Sequence, residues 1–209
     1  VHAVTPGLTQ AKDGVAEVAT EVVTPSATTA QQTSNQQSAA ATPIAEAIAL
    51  ARELGDMHGL AAALYFAAIL GHIERNPAEV ERVASDLIEL STRHQFAYWL
   101  AGGEILRGWA RSASGDTTEG LSRIEDGIVD WRATGSKICV PYWLALKAEA
   151  LHLADRTFEA LEAIRLAEEL VERSGARWFY AEIHRLRGVF LTAIEGETRE
   201  IEVSFCEAI

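Results

Sequence analysis

The chain has 209 residues, and 48% of them are hydrophobic, so it can bury a core as one domain or as an array of four or five repeats. Thirty acidic residues stand against 18 basic ones, a formal net charge of -12. That balance excludes phosphate-backbone binding, which needs clustered Lys and Arg, and suits basic partners. The two cysteines, Cys139 and Cys206, form no CxxC pair. They read as thiols of a reducing compartment, so a cytoplasmic location is expected. The longest apolar run, residues 60–70, is about half of what a spanning helix needs, and no membrane association is expected.

Residues 8–23 predict a short, weak helix. From Thr24 to Pro43 every residue is Thr, Pro, Ser, Ala, Gln or Asn. Such a stretch cannot offset its ordering entropy by burial, so residues 1–42 are expected to be a low-complexity or weakly helical segment. Structure is expected from Thr42-Pro43, a helix cap followed by a proline suited to the first helical position. Ile44, Ile48 and Leu54 then follow helical spacing up to Gly55.

Beyond Gly55 the pattern repeats every 40 residues. Gly108, Ala148 and Gly188 share one register, with Ala68 one period earlier. Val80, Gly120 and Ala160 form a second series. Gly55, Gln95, Gly135 and Gly175 form a third and mark helix ends. First helices are predicted near 58–74, 97–113, 138–153 and 178–194. Second helices are predicted near 78–93, 118–133, 158–173 and from 199 onward. Turn chemistry falls between them at Asn76-Pro77, Gly115-Asp116, Ala154-Asp155 and Gly196. The repeat domain, 43–209, divides into a half repeat 43–56, full repeats 57–95, 96–135 and 136–175, and a partial repeat 176–209. The chain reads as part of something larger.

Gly and Ala inside helices let two backbones approach, so Gly108 is expected to face Gly120, Ala148 to face Ala160, and Ala68 to face Val80. Phe66, Leu106, Leu146 and Leu186 are expected as core wedges. Trp99, Trp131, Trp143 and Trp178 are assigned to core or hairpin ends.

The 12-residue spacing of small residues and the turn Gly115-Asp116-Thr117-Thr118-Glu119-Gly120 resemble tetratricopeptide (TPR) repeats, whose usual period is 34 residues. The strings LARELGD (50–56), LAAALYFAAIL (60–70), LRGWARSASGD (106–116), DWRATGS (130–136), PYWLALKAEAL (141–151) and ARWFYAEIHRLRG (176–188) resemble the C-terminal repeat regions of large bacterial signalling ATPases. Many of those carry a class III adenylate or guanylate cyclase domain. The resemblance implies an all-α, right-handed superhelix of antiparallel helical hairpins that binds partner proteins or regulates an attached ATPase. Neither the cyclase nor the ATPase domain is in this sequence.

No catalytic constellation, cofactor motif or metal-ligand spacing emerges. Gly103 to Gly108 spaces like part of a phosphate-binding loop, but Trp109 follows where Lys is needed. His58, His72, His94, His152 and His184 are scattered and read as exposed or locally bonded. Glu168-Glu169 and Glu125-Asp126 read as solvated helix surface.

Two constellations invite a binding reading. Arg107, Lys147 and Arg187 share one repeat position and would stack as a cationic column, with Arg111 and Arg185 widening it. It suits an acidic peptide or a C-terminal carboxylate. The other reading is a ladder of ion pairs to Glu104, Glu149 and Glu182. By analogy with the tetratricopeptide groove, Tyr65, Ile69, Trp109, Tyr142, Glu149, Glu182 and Arg185 face inward, either as a peptide groove or as core between repeats. The expected function is therefore a non-catalytic interaction or regulatory scaffold binding a protein or peptide through Tyr65, Arg107, Trp109, Tyr142, Lys147, Glu149, Arg185 and Arg187. The alternative is a self-association module that helps a cyclase or ATPase parent dimerise.

Overall fold

The computed structural model describes residues 43–175 and 177–209, and the expectations for residues 1–42, Thr42 as a cap included, lie outside it. Among the described residues there is helix and no strand. Residues 43–54 form α1. Eight helices follow: α2 (Met57–Ile73), α3 (Pro77–His94), α4 (Ala97–Ala113), α5 (Thr117–Ala133), α6 (Val140–Leu153), α7 (Thr157–Ser174), α8 (Tyr180–Ala193) and α9 (Thr198–Glu207).

Two left-handed backbone positions per repeat set the period. Gly55, Gln95, Gly135 and Gly175 all have positive φ, between 58° and 82°, and end the second helices. Arg75, Gly115, Asp155 and Glu195 form another such series, with φ of 56°, 102°, 59° and 55°, inside the tight hairpin turns. Glycine occupies only one of those four turns, so composition does not reveal the series. Asp56, Asn76 and Asp116 then accept hydrogen bonds from the backbone N–H groups of Gly59, Glu79 and Glu119 and start α2, α3 and α5. α6 and α8 begin at 140 and 180, two residues later than the sequence predicts. Cys139 takes φ +65° and Pro141 occupies the first turn, which delays the start of α6.

Helices pair as hairpins: α2 with α3, α4 with α5, α6 with α7, and α8 with α9. The first helices α2, α4, α6 and α8 pack successively on one another, whereas α3, α5 and α7 do not meet at backbone distance. Each second helix also packs on the first helix of the next repeat.

The small residues sit where this packing is tightest. A Cβ on Gly108 would lie 2.7 Å from the Gly120 carbonyl oxygen, and one on Gly120 2.5 Å from that of Gly108. Ala68, Val80, Ala148 and Ala160 are fully buried. Leu106, Leu146 and Leu186 are buried as expected, but Phe66 is 56% exposed. On α4 this face meets the preceding hairpin: Gly103 lies against Leu87 and Ile88 of α3, and Leu106 is one turn on. Trp131 and Trp143 are fully buried, Trp99 is half-buried, and Trp178 is exposed.

Candidate functional site

Small residues on α4 allow α2 and α6 to touch across it. A Cβ on Gly102 would come 2.8 Å from the ring of Tyr65 and 3.2 Å from that of Trp131. Tyr65 therefore crosses α4, lies near-parallel to Trp131 and edge-on to Trp143, and donates its hydroxyl to Cys139 Sγ at 3.7 Å. One aromatic cluster thus links three repeats.

A polar cluster stands at the other end of these helices. His72 closes α2 and is 1% exposed. Its Nδ1 lies 2.9 Å from the Tyr142 hydroxyl and its Nε2 3.3 Å from Glu149 Oε1, both on α6. Trp109 of α4 donates its indole N–H to Glu149 Oε2 at 3.2 Å and meets the His72 ring edge-on, with centroids 4.5 Å apart. Arg75, in the turn after α2, donates to Glu149 Oε2 through Nη1 and to Glu182 Oε1 through Nη2 at 2.7 Å. Arg185 grips the same Glu182 with two bonds of 2.7 Å. The positive φ of Arg75 turns the chain here, next to two carboxylates that lie 74 and 107 residues further on.

The electrostatics are balanced inside the cluster. Burial pushes the Glu149 carboxyl up, but the His72 hydrogen bond, the charges of His72 and Arg75 and the Trp109 N–H together hold it below the usual carboxylate range. Burial raises the Tyr142 phenol far above its ordinary value, so it stays protonated. An ionised carboxylate only accepts, so His72 Nε2 carries the proton toward Glu149; in the neutral ring the Tyr142 O–H then donates to Nδ1. Every carboxylate oxygen of Glu149 and Glu182 has a donor, which is what makes burial of such charges tolerable.

This cluster forms one wall of a cavity of about 650 Å³ between α2, α6 and α8. The rest of its lining includes the apolar Phe179, Leu186, Val189 and Phe190. Ile73 and Leu153 sit at its edge, half or more exposed. A hydrogen-bonded polar cluster beside apolar side chains makes a recognition surface of the size that ligand and side-chain pockets take. Among the described residues no group of three or more His, Cys, Asp and Glu is placed to hold a metal ion. No helix among them is long and apolar enough to cross a membrane.

The eight residues proposed from sequence fall in three places. Trp109, Tyr142, Glu149 and Arg185 converge in the polar cluster. Tyr65 belongs to the neighbouring aromatic cluster. Arg107, Lys147 and Arg187 lie apart from both and reach back to the second helix of the preceding repeat. Arg107 meets Glu81 at 3.0 Å, Lys147 meets Glu125 at 2.7 Å, and Arg187 lies 4.0 Å from Glu168. Arg111 shares Glu81. The column is thus an ion-pair ladder, with other partners than the sequence suggested. Glu104 is taken by Arg123 of α5, and Glu149 and Glu182 by Arg75 and Arg185. Inter-helix packing, not spacing along one helix, selects the partners.

Two expectations about bland residues are overturned. His72 and His184 are buried, not exposed, and the partners of His72 are 70 and 77 residues away. Glu168 is half-buried beside His184 Nδ1, 3.6 Å away, and burial raises its carboxyl above the usual range. Arg75 had no sequence signal except its place in the 75, 115, 155, 195 register.

No family model matches the chain, and no solved structure matches it. It is similar to an uncharacterized protein of Rhizobium meliloti (strain 1021), 24% identical over 153 residues. That match covers 73% of this chain but 15% of the relative's length.

Proposed function

We propose that residues 43–209 form a tetratricopeptide-like interaction module, curved as a right-handed superhelix, that binds a protein or peptide and regulates a larger bacterial signalling protein. The observation that carries this reading is the convergence of α2, α4, α6 and α8 on one buried polar cluster, which lines an open cavity between α2, α6 and α8. First helices that pack together while second helices spread apart are what a curved stack requires, and the inner side of such a stack is its binding face. The long relative is consistent with a module inside a larger chain. The chemistry at the cavity is recognition, by an apolar wall and a hydrogen-bonded one. On this reading any nucleotide cyclase or ATPase activity belongs to other domains of a parent protein, and the module works in the cytoplasm.

The test is site-specific photo-crosslinking from Ile73 and Leu153, at the cavity edge, in cells of a bacterium that carries the gene. Crosslinks to one discrete polypeptide, lost in an Arg75→Ala/Arg185→Ala variant, support the groove reading. Crosslinks solely between copies of this chain move the weight to self-association. No crosslink above the level seen from the second-helix position Arg165 refutes the cavity as a binding face.

A further inference from the structure

A second cavity, of about 680 Å³, lies at the opposite end of α6. Its charged lining is Arg132, Lys137 and Arg173, and it contains no carboxylate. Its apolar lining includes Val140, Pro141 and Leu170. On a chain of net charge -12 this is an unusual place. The cations of the ladder are each spent on a glutamate. Arg173 has one long contact, 3.4 Å, to Glu169 on its own helix, and Arg132 and Lys137 have no ion-pair partner among the described residues.

Arg132 and Arg173 stand in the last turns of α5 and α7, where the helix dipole favours a cation without any ligand. That explanation does not reach Lys137, which stands in the loop before α6. The loop is also built rather than loose. Trp131 donates its indole N–H to the Ile138 carbonyl at 2.9 Å, Thr134 donates to the Trp131 carbonyl at 2.6 Å, and Gly135 takes φ +82°. The backbone that carries Lys137 is therefore held at the cavity between two helix ends that each supply an arginine, and the Lys137 side chain is exposed there.

We infer that this cavity binds a small amphipathic anion, an apolar body carrying one carboxylate or phosphate. The apolar body would lie on Val140, Pro141 and Leu170, and the anionic head would be shared by Arg132, Lys137 and Arg173. Guanidinium groups suit a planar two-oxygen head, and the volume suits a small molecule rather than a folded partner.

The test uses the full chain and three probes with one apolar body: 4-phenylbutyrate, 4-phenylbutanol and 4-phenylbutylamine, titrated calorimetrically at low and high salt. The carboxylate is expected to bind saturably at one site, with the alcohol and amine about tenfold weaker or more. The Arg132→Glu/Lys137→Glu variant, checked for helicity by circular dichroism, should lose about tenfold in affinity. Arg156→Ala/Arg165→Ala, outside the cavity, should lose none. Phenyl phosphate in place of phenylbutyrate ranks the two head groups. No saturable binding of either anion, equal binding of the alcohol, or binding unchanged by the charge reversal would overturn the inference.

Discussion

His72 Nε2 lies 3.3 Å from Glu149 Oε1, although 77 residues separate them in the chain. Two helices that do not neighbour each other in sequence are joined by a buried, charge-assisted contact. Removing the carboxylate strands several donors at once: the His72 ring, the Trp109 indole and one N–H of Arg75. Glu149→Ala should therefore destabilise the domain by about 3–5 kcal/mol, as measured by urea unfolding. Glu149→Gln keeps one acceptor and should cost less. A Glu149→Ala protein with an unchanged urea midpoint would show that the cluster carries no net energy.

The same group sets a pH dependence. The folded-state pKa of Glu149 lies below the ordinary value of a glutamate side chain. Its stabilisation is fully present above that unfolded value and is lost as the pH falls through the lower folded one. Glu168 has the opposite sign. Burial raises its folded pKa, so ionisation works against folding at neutral pH and the penalty is relieved as the pH falls through the raised value. Urea midpoints between about pH 7 and about pH 3.5 should show a flatter acid limb for Glu149→Gln and higher neutral stability for Glu168→Gln. Parallel curves for wild type and Glu149→Gln would contradict the assignment.

The close approach of Gly108 and Gly120 fixes how α4 sits on α5. A leucine at Gly108 would drive its Cβ into the Gly120 carbonyl and the Ile124 side chain. Gly108→Leu should cost about 1–3 kcal/mol or more by overpacking. Leu106→Ala, on the face toward the preceding hairpin, should cost about 2–5 kcal/mol as a cavity. Calorimetric melting of both variants is the check, and a Gly108→Leu protein that melts like wild type refutes the packing.

Gln95 holds a left-handed φ of 58° at a position where the other three repeats use glycine. A side chain there is strained, and Gln95 caps α3 through N–H bonds to Ser91 and Thr92 that glycine would keep. Gln95→Gly should stabilise the domain by about 0.5–1 kcal/mol, less whatever the freer unfolded chain recovers. A lower melting temperature for this variant would mean that the side chain contributes a contact worth more than the strain.

The ion-pair ladder should behave differently from the buried cluster. Arg107, Lys147 and Arg187 are partly exposed and pair with partly exposed acids. Each replaced by Ala should change stability by about 1 kcal/mol or less, and the effect should shrink in high salt. A large, salt-insensitive loss would mark the ladder as more than a solvated pairing.

The sequence by itself determined the helices and their period, and their ends to within two residues. Apolar spacing, the turns at Asn76-Pro77 and Gly115-Asp116, and the Gly55, Gly135 and Gly175 stops are local signals, because one turn of helix is decided by residues three or four apart. It also placed Trp109, Tyr142, Glu149 and Arg185 on faces where they could meet. The partners were decided only by the tertiary structure. His72 looked like an isolated histidine, Arg75 drew no notice, and Arg107 looked like a neighbour of Glu104. Each finds its true partner on another helix, and small residues on α4 give room for this: Gly102 lies against Tyr65 of α2, and Gly103 against Leu87 and Ile88 of α3. Ion pairs and buried hydrogen bonds depend on distances of a few ångströms between segments far apart in the chain, and no spacing along a single helix encodes them.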